Sequence, residues 1–182
     1  MGKALDDRAG CAVLVRCLEY FSRNRPDFTL VANFAVGEEV GLRGATTAAR
    51  QIRPDIAFVV EGTVAADTPG VSGHRCPARL GLGPAVSVAD RSIIVHPSLV
   101  SQIEIVANGL SVPWQHKIPL TGSTDAGAIH LSGRGVLTGI ISIPCRYIHS
   151  PSSILDLNDF EHTLTLVIGV LRQAREIGGR IP

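Results

Sequence analysis

The stretch Phe34-Ala35-Val36-Gly37-Glu38-Glu39-Val40-Gly41 decides how this chain reads. It closes an uncharged run from Phe28 to Val36 that is short and rich in β-branched and aromatic residues, the signature of a buried strand. A glycine follows, and then two adjacent carboxylates. Open α/β sheets place their chemistry at the carboxyl ends of strands. Neighbouring side chains at such an end point different ways, so one carboxylate can face a metal while the other faces substrate or water. The plainer reading is a helix start, where the macrodipole favours acids.

Outward from this stretch, strands and helices alternate. Asp7 to Ser22 repeats Val13, Leu14, Cys17, Leu18 and Phe21 at helical spacing, with Pro26 just beyond. Val40 to Ile52 reads as a helix with small residues for close packing, stopped by Pro54. Ile56 to Val60 reads as a second buried strand ending in an acid, Glu61. Thr63 to Gly83, rich in Gly, Pro and Ala, reads as loop with room for an edge hairpin. Pro84 to Val88 is a short strand, and Pro97 to Asn108 an amphipathic helix between Pro97 and Gly109. Gly122-Ser123-Thr124-Asp125 precedes a short helix, Ala126 to Leu131. Val136 to Ile143 is a third buried strand, Pro144 to Ser153 a loop, and Asp156 to Ile177 one long closing helix. This alternation predicts an α/β fold: a three-layer α/β/α sandwich around a mostly parallel mixed sheet, formed by residues 1–182 as a single domain.

Composition narrows the function classes. A net charge of +1 and 4% aromatic residues supply neither the basic patch nor the stacking platforms of nucleic-acid binding. No apolar run approaches the roughly 20 residues of a membrane helix. Met1-Gly2-Lys3-Ala4-Leu5-Asp6 is not a signal peptide, and Asp6 breaks the myristoylation pattern. Cys11, Cys17, Cys76 and Cys145 show no metal-ligand spacing or small disulfide framework, which predicts reduced, mostly buried thiols in a cytoplasmic protein.

Four residues beside strand ends or the first helix offer a ligand set: Asp6, Glu39, Glu61, and His149 in Tyr147-Ile148-His149-Ser150-Pro151. Carboxylates and imidazole without cysteine suit a hydrolytic Zn, Co or Mn site. A bridging carboxylate can hold two such ions roughly 3.5–4 Å apart. Each residue also has a plain reading: Asp6 as an N-cap, Glu61 as a loop acid, His149 as a surface imidazole. The remaining histidines, His74, His96, His116, His130 and His162, read as structural or solvent-exposed. Asp125 reads as an N-cap and loop organiser rather than a catalytic acid. A glycosidase also needs paired acids, but has no use for Asp6, Glu61 and His149 together, and its sugar platforms normally use aromatics.

In order along the chain stand Lys3-Ala4-Leu5-Asp6-Asp7-Arg8-Ala9-Gly10, Glu38-Glu39-Val40-Gly41-Leu42-Arg43-Gly44-Ala45, Glu61-Gly62-Thr63, Asp67-Thr68-Pro69-Gly70, Gly122-Ser123-Thr124-Asp125-Ala126-Gly127-Ala128-Ile129-His130 and Arg146-Tyr147-Ile148-His149-Ser150-Pro151. Almost end to end, this series resembles the glutamyl, deblocking or tetrahedral metallo-aminopeptidases, some of which carry an endoglucanase label. The resemblance implies that Asp6 bridges two divalent ions (Zn, Co or Mn). Glu39 and His149 complete one site and Glu61 binds the other. Glu38 is the implied general base that takes a proton from the attacking water. Glu61 stands where many relatives have Asp, and Gly37 where a Gln is common, a change expected to matter little. A cis peptide is implied between Asp6 and Asp7.

The family also has a preceding segment with a metal-binding His in a His-x-Asp motif, and an inserted assembly domain. Neither is in these 182 residues. The resemblance therefore implies the C-terminal portion of a catalytic domain, truncated just before the bridging Asp, with one ion site incomplete. Its expected partners are peptide substrates and further copies of itself as a homo-oligomer, with no nucleic acid and no membrane. Two other readings stay open: a non-catalytic metal-binding remnant that needs a missing segment, and a polysaccharide hydrolase.

Overall fold

Two mostly apolar segments of nine residues become the two long strands of the sheet. In the computed structural model, which describes residues 1–180, β1 (Ile56–Val64) lies parallel to β4 (Leu137–Cys145), in register from Ile56 opposite Leu137 to Val64 opposite Cys145. The short β2 (Ala85–Val86) pairs antiparallel with β4, and β3 (Gln115–His116) pairs parallel with β2. The mixed sheet thus runs β1-β4-β2-β3. Alternate residues of a strand face opposite ways, yet Thr138 to Cys145 are buried without a break, so β4 is covered on both faces. Ile140, Ile141 and Ile143 are wholly inaccessible, each contributing about 1.5–3 kcal/mol of apolar burial.

Six α-helices are found among the described residues, and four of them pack on this pair. α1 (Leu5–Arg23) packs on β1 and β4 and against α5 (Leu157–Arg172), which also meets β4 and α3 (Pro97–Gly109). α2 (Arg43–Ile52) lies against α4 (Ala126–Ile129), and α4 meets both long strands. α3 follows its sequence signals closely, with Pro97 in its first turn and the His96 ring accepting from the Ser98 amide at 3.3 Å. The layered α/β architecture is therefore the expected one.

Four local expectations need correction. Phe28 to Val36 has no regular secondary structure, with bends at Phe28 and Val36, and belongs to no ladder. Among the described residues, no backbone hydrogen bond involves Phe28 to Ala35. Composition made it strand-like, but a strand needs a hydrogen-bonding neighbour, and none of the described chain lies alongside it. Secondly, β1 continues past Val60, so Glu61 lies within the strand rather than beyond its end. Thirdly, the closing helix is two, because Gln173 leaves helical geometry between α5 and α6 (Ala174–Arg180). Lastly, the helix expected from Val40 starts at Arg43, because Gly37 to Leu42 form a turn first. Gly37 has φ 69°, where glycine is unstrained and a side chain is not.

Candidate metal and catalytic centre

The N-terminus and the His149 loop meet although they are far apart in sequence. Gly2 and Ser153 exchange backbone hydrogen bonds of 2.9 Å in both directions. Arg146 and Ile154 exchange another pair, of 2.8 and 3.0 Å, which closes the loop between them at its base. These bridges set Asp6 beside His149. The turn after Val36 delivers Glu39 to the same point.

There the His149 Nε2 stands 3.1 Å from Asp6 Oδ2 and 3.1 Å from Glu39 Oε1. One ligand-type atom from each of the three lies within 4.8 Å of the others, the only such group among the described residues. A cavity of about 330 Å³ lies over them, bordered by Lys3, Ala4, Ser150 and Pro151. The backbone here is unusual. The Asp6–Asp7 peptide is cis, as the resemblance implied, and Tyr147 and His149 have φ of 59° and 61°, a region that residues other than glycine seldom occupy.

Asp7 rather than Asp6 takes the capping role. Its Oδ1 accepts from the Gly10 amide at 3.0 Å, which frees the Asp6 carboxylate to face His149. Burial pushes Asp7 up to about 7.

The remaining acids surround this trio. Burial, then the charges of Glu39, Asp125 and Asp6, push Glu38 up to about 7. Asp6 is raised by burial and by Glu39, against the opposing pull of His149. Glu61 stands outside the tight group. Burial raises it well above the ordinary carboxylate value; Lys117 opposes that rise, while Asp7, Glu38 and Asp6 add to it. Gly62, next to it, packs directly on Asp6: a Cβ there would lie 3.0 Å from the Asp6 Cβ. So β1 and the start of α1 touch at the site.

One residue here escaped the sequence reading, and one that was read as an N-cap makes no capping bond. Lys117 is only 4% exposed, and its charge acts on Glu61. In sequence it sits among polar loop residues, with no signal of burial. Asp125 occupies the N-cap position of α4 but makes no capping bond; Thr124 Oγ1 accepts from Ala126 N instead. The Asp125 Oδ1 is buried without a partner, and its charge acts on Glu38. The other histidines stay apart: His116 pairs with Glu104 at 2.8 Å, and His130 Nδ1 lies 2.9 Å from the Ala126 carbonyl.

The donor set fits a divalent ion of the Zn, Co or Mn type. It joins oxygen and imidazole nitrogen atoms, and its crowded acids repel one another until a cation neutralises them.

Known proteins share this arrangement of sequence and fold. The sequence pattern of the M42 glutamyl aminopeptidase family matches residues 1–166. A protein of Acetivibrio thermocellus bearing an aminopeptidase name is 42% identical over 168 residues, which cover 92% of this chain and 50% of that protein. The crystal structure of a TET aminopeptidase from a marine sediment Thaumarchaeota archaeon gives a TM-score of 0.91 at 34% identity, covering 100% of this chain and 51% of that one. A Pyrococcus horikoshii peptidase, described as able to assemble into a tetrahedron or a large octahedral shell, gives 0.78 at 29% identity, covering 91% of this chain and 48% of its own. The chain spans about half the length of the relatives it matches. Among the described residues no helix is long and apolar enough to cross a membrane.

Proposed function

The chain belongs to the M42 glutamyl aminopeptidase family, and on that premise we propose that it carries the general base and most of the metal ligands of an aminopeptidase that releases N-terminal residues from peptides. The observation that carries this is the convergence of Asp6, Glu39 and His149, from three separate segments, on one point beneath a cavity. These three would hold one divalent ion, and Asp6 with Glu61 a second. Bound there, such ions supply positive charge that polarises the scissile carbonyl and acidifies water.

The chain's own residues do the rest. The Glu38 carboxylate takes a proton from the attacking water and passes it to the departing amine nitrogen. In the ion-free chain burial and the neighbouring acids raise Glu38 to about 7, and a positioned carboxyl of this kind can serve both halves of the transfer. Glu39 and His149 fix the donor geometry, and Lys117 offsets the buried charge of Glu61. The active unit is a homo-oligomer, a reading supported by the assemblies described for the Pyrococcus horikoshii peptidase.

A second reading is favoured by one observation: Glu61 lies outside the tight trio. Asp6 and Glu61 alone are two carboxylates with little besides charge to offer a second ion. On this reading the chain alone binds one ion and turns over little or no substrate until a missing segment completes the site. Metal content per chain by mass spectrometry, with a panel of chromogenic aminoacyl substrates, tests both. One ion per chain with negligible turnover is expected of the isolated chain. Absence of any bound ion after loading and desalting overturns the site. Robust turnover by the isolated chain overturns the second reading.

A further inference from the structure

Strand pairing brings a buried cation to one half of the candidate centre. Glu61 of β1 stands opposite Ser142 of β4, and Ser142 opposite Ala85 of β2. Ala85 in turn faces Gln115 of β3. Two residues along, the Ser87 amide donates to the Ile140 carbonyl, and the Lys117 amide to the Val86 carbonyl at 3.0 Å, which sets Lys117 beside Ser87. Directly opposed residues share a face of a sheet, as do residues two apart on one strand. Glu61, Ser142, Ser87 and Lys117 therefore lie on a single face. It is the face turned from α3, because His116 pairs with Glu104 of α3 and Gly139 lies against Leu99 and Ile103.

The groups along this path are enclosed and unsatisfied. Ser142 is 0% and Ser87 1% exposed, and neither hydroxyl has a hydrogen-bond partner. Lys117 is 4% exposed, and among the described residues its ammonium makes no direct ion pair. Ala85 is small and wholly buried, which leaves a lysine stem room to cross toward Glu61. Gln115, the other polar group of the row, is held instead by the backbone of Arg79 and Gly83. The Lys117 charge does reach Glu61, where it opposes the rise that burial imposes on that carboxyl. A serine hydroxyl accepts from an ammonium and donates to a carboxylate, so Ser87 and Ser142 are suited to join the two.

A lysine is almost never fully buried unless an anion compensates it, and Glu61 is the anion on its face. Donor chemistry alone leaves Glu61 open to a second divalent ion. An ion there would sit against a buried ammonium, and like charges in an enclosed site repel strongly. We propose that Lys117 is the built-in cation of the Glu61 half of the centre: its ammonium, carried toward Glu61 across Ser87 and Ser142, stands in for a second divalent ion, so that the chain loads a single ion, on Asp6, Glu39 and His149. An ammonium supplies positive charge and hydrogen-bond donors but no open coordination position. The proposal rests on the catalytic reading for that first ion alone.

Calorimetry with zinc, and native mass spectrometry for the ion count, compare the native chain with Lys117→Met, which keeps the length of the side chain and removes its charge. One ion is expected in the native chain. Lys117→Met should take up a second, bound roughly tenfold or more tighter than any second ion of the native chain. A side chain with a merely structural role would not change that count. Lys117→Met and Glu61→Gln should each lower the melting temperature of the ion-free chain, and the double variant should lose less than the two losses together. A double variant that folds where Lys117→Met does not is the same result.

Two equally tight ions in the native chain overturn the proposal. So does an ion count and affinity unchanged by Lys117→Met, and so do melting losses that simply add. A native chain that takes up no ion at all sinks the grouping of Asp6, Glu39 and His149 instead, and the melting cycle, which needs no ion, then decides whether Lys117 serves Glu61.

Discussion

Arg146 grips Asp67 through two parallel hydrogen bonds, Nε to Oδ1 at 2.7 Å and Nη2 to Oδ2 at 2.8 Å. The same carboxylate accepts from the Leu80 amide at 3.1 Å. Arg146 is also the first residue of the loop that carries His149, so the pair fixes that loop to the chain leaving β1. The guanidinium holds the Asp67 carboxyl below its usual value. Such a group contributes stability above the ordinary carboxylate value, lost as pH falls through its lower folded value. Melting of the native chain should therefore fall between about pH 5 and about pH 3 more steeply than melting of Asp67→Asn. Asp67→Asn should also weaken ion binding by roughly 10-fold or more, as outer-shell changes do. Equal acid sensitivity in the two proteins would show that the grip contributes nothing measurable.

The adjacent acids should separate on mutation. Glu38→Gln is expected to retain the divalent ion, while Glu39→Gln loses it, since Glu39 and not Glu38 stands with His149 and Asp6. In a preparation with turnover, Glu38→Gln should reduce kcat by about 10²–10⁴-fold, the usual contribution of a general base. Titration calorimetry on both variants settles the assignment; matching ion loss in the two would reverse it.

Ion affinity should rise with pH. Asp6 is raised, and Glu38 to about 7, in the ion-free chain. Below about 7 Glu38 is protonated, and Asp6 keeps its proton to a higher pH than an ordinary carboxyl, so an entering cation must expel protons. Affinity for zinc should therefore increase between about pH 5.5 and about pH 7.5, with proton release detected as a dependence of binding heat on the buffer. The same raised carboxyls make the ion-free fold less stable as pH rises from 4.5 toward about 7. A pH-independent affinity across that window would contradict this crowded-acid picture.

A side chain at Gly62 should press on Asp6. Its added Cβ would come within 3.0 Å of the Asp6 Cβ and 3.3 Å of the Asp6 Cα, pressing on the kinked start of α1. Gly62→Ala is expected to cost about 1–3 kcal/mol in unfolding free energy, the range for overpacking, and to lower ion affinity by displacing Asp6. Denaturant unfolding without ion and calorimetry with it would separate the two effects. Unchanged affinity would mean that Asp6 does not hold the ion.

Local chemistry alone determined much of this protein. Short apolar runs specified β1 and β4, and β4 is buried on both faces. Pro97 and Gly109 bracketed α3, and the order of acids and His149 along the chain selected the candidate centre. Tertiary structure decided the rest, because each remaining property depends on a partner distant in sequence. Phe28 to Val36 has the composition of a strand, but a ladder requires a second backbone beside it, and none of the described residues provides one. Glu61 was read as lying past a strand end; pairing with β4 extends β1 through Val64 and encloses it. Whether Asp6 or Asp7 capped the first helix was fixed by the approach of His149, carried there by the Gly2–Ser153 bridge. The burial of Lys117 and of the unpartnered Asp125 oxygen likewise follows from packing between segments. Composition and spacing determine which groups are available; long-range backbone pairing determines which of them meet.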